Sequence, residues 1–205
     1  MTRIAAVLAV LVVAATAAVV GARALGLGGG RPAPESRLYV AISRSDDETA
    51  AREIEVIDTG SGERTLFDVG IRISALALSP DRRTLYVGTD DGRVLLYDPN
   101  SGGFIAEIRT RRLASLLPVG DELYGVSSAR DGSAAVRIDL RARKEAAATP
   151  LPGLAGRPAY AAGSLYVPYV DGTRNALARL SAPSLEVLET RVPTLVLGRT
   201  VFGTP

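Results

Sequence analysis

The 205-residue chain has no cysteine, no histidine and no tryptophan, and a single methionine. Lack of cysteine excludes disulfides, thiolate nucleophiles, iron–sulfur clusters, cysteine-ligated zinc and a lipid-modified cysteine anchor. Lack of histidine removes the commonest general base at neutral pH and the commonest transition-metal ligand. Carboxylates, Lys144, hydroxyls and tyrosines are what remain for chemistry, so a non-catalytic role is the expectation. An excess of one charge is missing too: 24 basic residues stand against 22 acidic ones, and Arg3, Arg23 and Arg31 all fall within the first 31 positions. The rest of the chain is close to neutral, which leaves no electrostatic footprint for nucleic acid.

What is present begins with an uncharged run over residues 4–20, almost entirely Ala, Val and Leu. As a helix it would span roughly 25 Å, near the low end of a bilayer's hydrocarbon thickness. Residues 1–24 are therefore expected to be a hydrophobic helix: a retained membrane anchor, a signal peptide cleaved near Ala24, where Ala22-Arg23-Ala24 has the small-x-small form, or a buried soluble helix. The first two outcomes place the rest outside the cytoplasm, membrane-anchored in the first case and secreted in the second. Residues 25–36 are rich in Gly and Pro and read as a flexible spacer.

Residues 37–205 read as one all-β domain. Short Val/Leu/Ile/Tyr segments alternate with Gly, Asp, Pro and Ser turns, and no long run has helical periodicity. One phrase recurs as Leu38-Tyr39-Val40, Leu85-Tyr86-Val87, Leu123-Tyr124-Gly125 and Leu165-Tyr166-Val167, at spacings of 47, 38 and 42 residues. Periods of about 40 to 50 residues with several strands per unit indicate propeller blades. Tyr39, Tyr86, Tyr124 and Tyr166 recur in register and are expected to pack between blades.

The clearest unit runs over residues 74–98 and contains Ser79-Pro80-Asp81, Leu85-Tyr86-Val87, Asp90-Asp91-Gly92 and Val94-Leu95-Leu96-Tyr97-Asp98. It resembles the YVTN-type and WD-repeat-like β-propeller families, whose blades commonly read Ala-x-Ser-Pro-Asp-Gly, then Leu-Tyr-Val, a turn, and Val-x-Val-x-Asp. The other units keep the Leu-Tyr step and lose Ser-Pro-Asp, and the Gly-His and Trp-Asp marks of true WD repeats are absent. The resemblance implies about four antiparallel four-stranded blades. In the clearest unit Ser79-Pro80-Asp81 ends the inner strand, because Pro lacks a donor and Asp bonds turn amides. Asp58, Asp98, Asp139 and Ser181 stand at corresponding third-strand ends, and the acidic residues there are expected to be turn formers.

If each blade runs a, b, c, d as a meander, the b–c and d–a connections share one face of the disc. That face carries Asp46, Asp47 and Glu48 in the longest b–c loop, Asp90, Asp91, Asp131 and Asp171 at the other b–c tips, and Arg109, Arg111 and Arg112 in a d–a link. It is the candidate binding face, since loops on a rigid scaffold commonly carry binding. Taken singly, each of these residues is more often simply a wet turn residue. Several such carboxylates near the axis would suit a hard cation such as Ca²⁺, although no fixed ligand spacing marks a site. The arginines would suit a phosphate or carboxylate, or equally a solvated strand edge.

The leading expectation is a non-catalytic binding or scaffolding module with a protein or small-molecule ligand and no nucleic acid. A lactonase-like hydrolase using carboxylates and a divalent cation competes with it, as does a partial propeller completed by oligomerisation. For closure, residues 194–201 are expected to pair antiparallel with 37–42 as the missing inner strand of the first blade, giving a four-bladed ring. The other inner strands are expected near residues 73–78, 113–117 and 157–161.

Overall fold

The computed structural model describes residues 11–13, 37–43, 51–129 and 132–192. These residues form four antiparallel sheets, each a meander in chain order. The first holds β1 (Leu11–Val13), β2 (Arg37–Ile42), β3 (Glu53–Asp58) and β4 (Arg64–Asp68). The second holds β5 (Ile73–Leu78), β6 (Leu85–Thr89), β7 (Arg93–Tyr97) and β8 (Phe104–Arg109). In the third are β9 (Ser115–Val119), β10 (Glu122–Ala129), β11 (Gly132–Asp139) and β12 (Lys144–Leu151). The fourth has a divided inner strand, β13 (Leu154–Ala155) and β14 (Ala159–Ala161), both pairing with β15 (Ser164–Asp171), followed by β16 (Arg174–Ser181) and β17 (Val187–Arg191). Pro158 has no N–H for a ladder, and the chain holds its place between β13 and β14 through the Gly156 amide, which donates to Pro168 O at 2.7 Å.

Alternation along the strands divides each sheet into two apolar faces. The tyrosine of the repeated phrase lies on the face turned to the following sheet. The leucine beside it faces the preceding sheet, because adjacent residues of a strand point to opposite sides. Tyr39, Ala41, Ile54 and Val56 of the first sheet thus meet Leu85, Val87, Leu95 and Tyr97 of the second. Tyr86 and Val94 meet Leu123, Val136 and Ile138 of the third. Tyr124 and Val126 meet Leu165, Val167 and Leu180 of the fourth. Leu85, Leu123 and Leu165 are fully buried, a contribution of about 1.5–3 kcal/mol each. Ring pairs reinforce the seams: Phe67 tilts against Tyr97 at 5.4 Å, and Tyr124 stacks on Tyr160 at 6.5 Å.

The expected packing role thus holds for Tyr39, Tyr86 and Tyr124, while Tyr166 is only partly buried. The reason is topological. Among the described residues, substantial packing joins the first sheet to the second, the second to the third and the third to the fourth, and none joins the fourth to the first. The four-bladed closed ring expected from strand counting is not formed by these residues; they make an open row. Residues 194–201, assigned to close it, lie outside the described residues, and the edge of β2 is instead paired by Leu11–Val13, with Val12 opposite Val40. Those three residues are also the described part of the run over 4–20, where a helix was expected. No helix among the described residues is long and apolar enough to cross a membrane.

The third-to-fourth-strand turns share one geometry. Asp58 Oδ1 accepts the amides of Gly60 and Ser61, Asp98 Oδ1 those of Asn100 and Ser101, and Asp139 Oδ1 that of Ala142. These amide bonds hold all three carboxyls below their ordinary pKa. Four residues after each turn begins, at Gly62, Gly102, Arg143 and Leu185, φ lies between 52° and 76°. The turn-former reading of Asp58, Asp98 and Asp139 is therefore what the structure shows, and at Ser181 the same turn is closed by main-chain bonds, Leu185 N donating to Ser181 O and Ser181 N to Glu186 O.

Candidate functional site

The b–c hairpins and d–a links do share a face, as their backbone contacts show. The tip of the β6–β7 hairpin lies against the link from β8 to β9: Thr110 N donates to Gly92 O at 2.9 Å. A Cβ at Gly92, where φ is +81°, would sit 2.7 Å from Thr110 O, so only glycine fits this approach. One step back, Asp90 N donates to Arg72 O at 3.0 Å, and Ile73 N to Ala51 O at 2.8 Å. The rim is thus stitched together by main-chain bonds between successive sheets.

Its charges are ordered in the same way. Asp91 accepts from Thr89 Oγ1 at 2.6 Å and from Arg93 Nε at 2.9 Å, and the Arg93 hydrogen bonds, followed by that of Thr89, lower its pKa. Arg93 Nη1 reaches Glu107 at 3.1 Å. Asp90 receives Arg112 Nε at 2.7 Å, tying the hairpin to the link. Arg111 Nη2 donates to Glu145 Oε1 at 2.6 Å and Thr110 Oγ1 to Glu145 Oε2 at 2.8 Å, tying that link to β12 of the third sheet. Burial of Glu145 opposes its charge, yet the bonds from Arg111 and Thr110 outweigh it and its pKa falls. Arg109 is highly exposed and only 3.9 Å from Glu107.

Asp90 and Asp91 line an open cleft of about 420 Å³ with Arg52, Gly70, Ile71 and Arg72, at the junction of the first and second sheets. The structure brings Asp90, Asp91, Arg111 and Arg112 into one ion-paired band. Asp171 stands apart, exposed on the β15–β16 hairpin of the fourth sheet. Asp46, Asp47, Glu48 and Asp131 lie outside the described residues. Sequence reasoning missed Arg52, Arg72, Arg93 and Glu145; the signal for Arg93 was its place directly after the Asp-Asp-Gly tip, while Glu145 is brought in only by the tertiary fold.

Among the described residues, no three acidic side chains are grouped to hold a metal ion. With Arg93, Arg111 and Arg112 paired to Asp91, Glu107, Glu145 and Asp90, this part of the face is a band of alternating charge.

No family model matches the chain, and no curated protein matches it. Solved structures do. The hydrazine synthase of Kuenenia stuttgartiensis superposes with a TM-score of 0.64 at 18% identity over 77% of this chain and 46% of that one. A chain of the mitotic checkpoint complex superposes with a TM-score of 0.58 at 20% identity over 76% of this chain and 46% of that one. The chain spans less than half the length of these neighbours, which contain β-propeller or WD-like domains. The likeness is one of fold: the four sheets are arranged as β-propeller blades.

Proposed function

We propose that the chain is an extracytoplasmic, membrane-tethered propeller module of YVTN type that binds a partner without catalysing a reaction. The observation that carries this is the rim built by Asp90, Asp91, Arg111 and Arg112, whose ion pairs and main-chain stitches fix a charged surface beside the cleft at Arg72. Rigid loops on a propeller scaffold bind well because little is left to order when a partner arrives. The absence of His and Cys from the sequence supports a recognition role, and the uncharged apolar composition of residues 4–20 supports the tether, which requires Leu11–Val13 to exchange their pairing with β2 for the membrane.

The test is capture from native membranes with the immobilised full chain, alongside an Arg72→Glu variant that inverts one wall of the cleft. The reading expects a partner retained by the wild type and lost by the variant at unchanged melting temperature. Equal capture by both, or none by either, would refute it. Protease added to intact cells should also cleave the domain; protection of the whole chain would overturn the extracytoplasmic placement.

A further inference from the structure

Every seam between sheets is made of the same two half-faces. One presents the phrase tyrosine, as Tyr39, Tyr86 and Tyr124 do; the other presents the phrase leucine, as Leu85, Leu123 and Leu165 do. Among the described residues, each end of the row carries one half that no other sheet faces. On the fourth sheet, Tyr166, Pro168 and Leu177 share the outward face through their cross-strand register with Arg179 and each other, and Val170 and Leu154 extend it, 42% and 64% exposed. On the first sheet, Leu38, Val40 and Ile57 share the outward face with, two strands across from β2, Leu66; Leu38 and Ile57 are half-buried and Val40 is buried. Leu66 is 38% exposed on the fourth strand of its sheet.

The two ends also differ in charge. Arg179 and Arg191 flank the single carboxylate of Glu189 around a groove on the fourth sheet. On the first sheet, Glu53, Glu55 and Asp68 stand with the single guanidinium of Arg64. One end is net positive and the other net negative.

We propose that the outward face of the fourth sheet docks on the outward face of the first sheet of a second copy, so that two chains close head to tail through two identical seams. A second copy fits for two reasons. It repeats a seam the chain already forms three times. And it pairs a positive end with a negative one. Two-fold symmetry closes such an assembly instead of letting it grow into a filament. This inference goes beyond the rim described above and does not depend on it.

The full chain contains no cysteine, so introduced thiols report directly. In mild detergent, light scattering should give a protein mass twice the 21.4 kDa of one chain. A short bismaleimide should link Pro168→Cys chains to Glu55→Cys chains when the two are mixed, and neither variant to itself. Leu177→Asp should return the mass to one chain with unchanged circular dichroism; if that variant fails to fold, Arg191→Glu serves, at an exposed position. A wild-type monomer at 100-micromolar-scale concentration (about the range where weak seams fill) would overturn the proposal. So would a dimer that both face variants leave intact, or linking of Pro168→Cys/Glu55→Cys within a single chain, which would mean closure by one copy.

Discussion

In the second sheet Tyr86 is 6% exposed beneath the third sheet, whereas in the fourth sheet Tyr166 holds the same step of the same phrase and remains partly open. The residues opposite the tyrosines behave alike. The Arg137 side chain, across from Tyr124, is 21% exposed, and that of Arg179, across from Tyr166, is 45% exposed. Both faces are written with the same residue types, so the sequence of a strand specifies a face fit for packing. Burial then depends on whether a neighbour is supplied.

The largest expected effect follows from that contrast. Tyr86→Ala should lower unfolding free energy by about 3 kcal/mol, as loss of a buried aromatic does, while Tyr166→Ala in dilute chain should cost under about 1 kcal/mol. Chemical denaturation of both variants checks this. Equal costs at every concentration would break the comparison, and a Tyr166 cost that grows with protein concentration would sharpen it into docking.

The hairpin tips give a second, smaller contrast. Gly92→Ala should cost about 2 kcal/mol or more, since both its φ and the nearby Thr110 carbonyl oppose a Cβ. Gly172→Ala, at the matching tip of the fourth sheet with φ +58° and open space around it, should cost about 1 kcal/mol from conformation alone. Thermal melts of the pair would show whether the second tip is wedged against its link as described.

The smallest effect is a gain. Arg143 is exposed and sits at φ 52°, where Gly62 and Gly102 sit in the first two sheets. Arg143→Gly should raise stability by roughly 0.5 kcal/mol, the relief of left-handed strain less the added freedom of the unfolded chain. A fall in melting temperature would mean the Arg143 side chain contributes contacts that the strain argument omits. Leu185, at the same step of the fourth sheet, offers no such gain because its side chain is fully buried.

These turns also show how far sequence carries the fold. Asp58, Asp98 and Asp139 were legible because an Asx turn is chemistry within three or four residues. Arg143 and Leu185 were not, since nothing local marks a non-glycine residue as left-handed. The inner strand expected near 73–78 matches β5, but that near 113–117 begins two residues later, at Ser115, because Leu113 turns into the seam between sheets. An unbroken Ala/Val/Leu run such as residues 4–20 fits a buried strand and a helix alike, so the pairing of Leu11–Val13 with β2 had no mark in the sequence. In the candidate site, the clustering of Asp90 and Asp91 with Arg112 followed from hairpin logic. The bond from Arg111 to Glu145, 34 residues away, is a product of the seam between two sheets and has no local trace.

An open row with three apolar seams has consequences for how it comes apart. The second and third sheets are gripped on both faces and the end sheets on one, so unfolding should start at the ends and move inward, as in a linear array with nearest-neighbour coupling. Amide protons should record this as a gradient, with β6 and β10 exchanging slowest and β17 fastest. The fourth sheet is then the place where a protease would first find purchase, and anything that seats on its outer face would slow the entire sequence by guarding its first step.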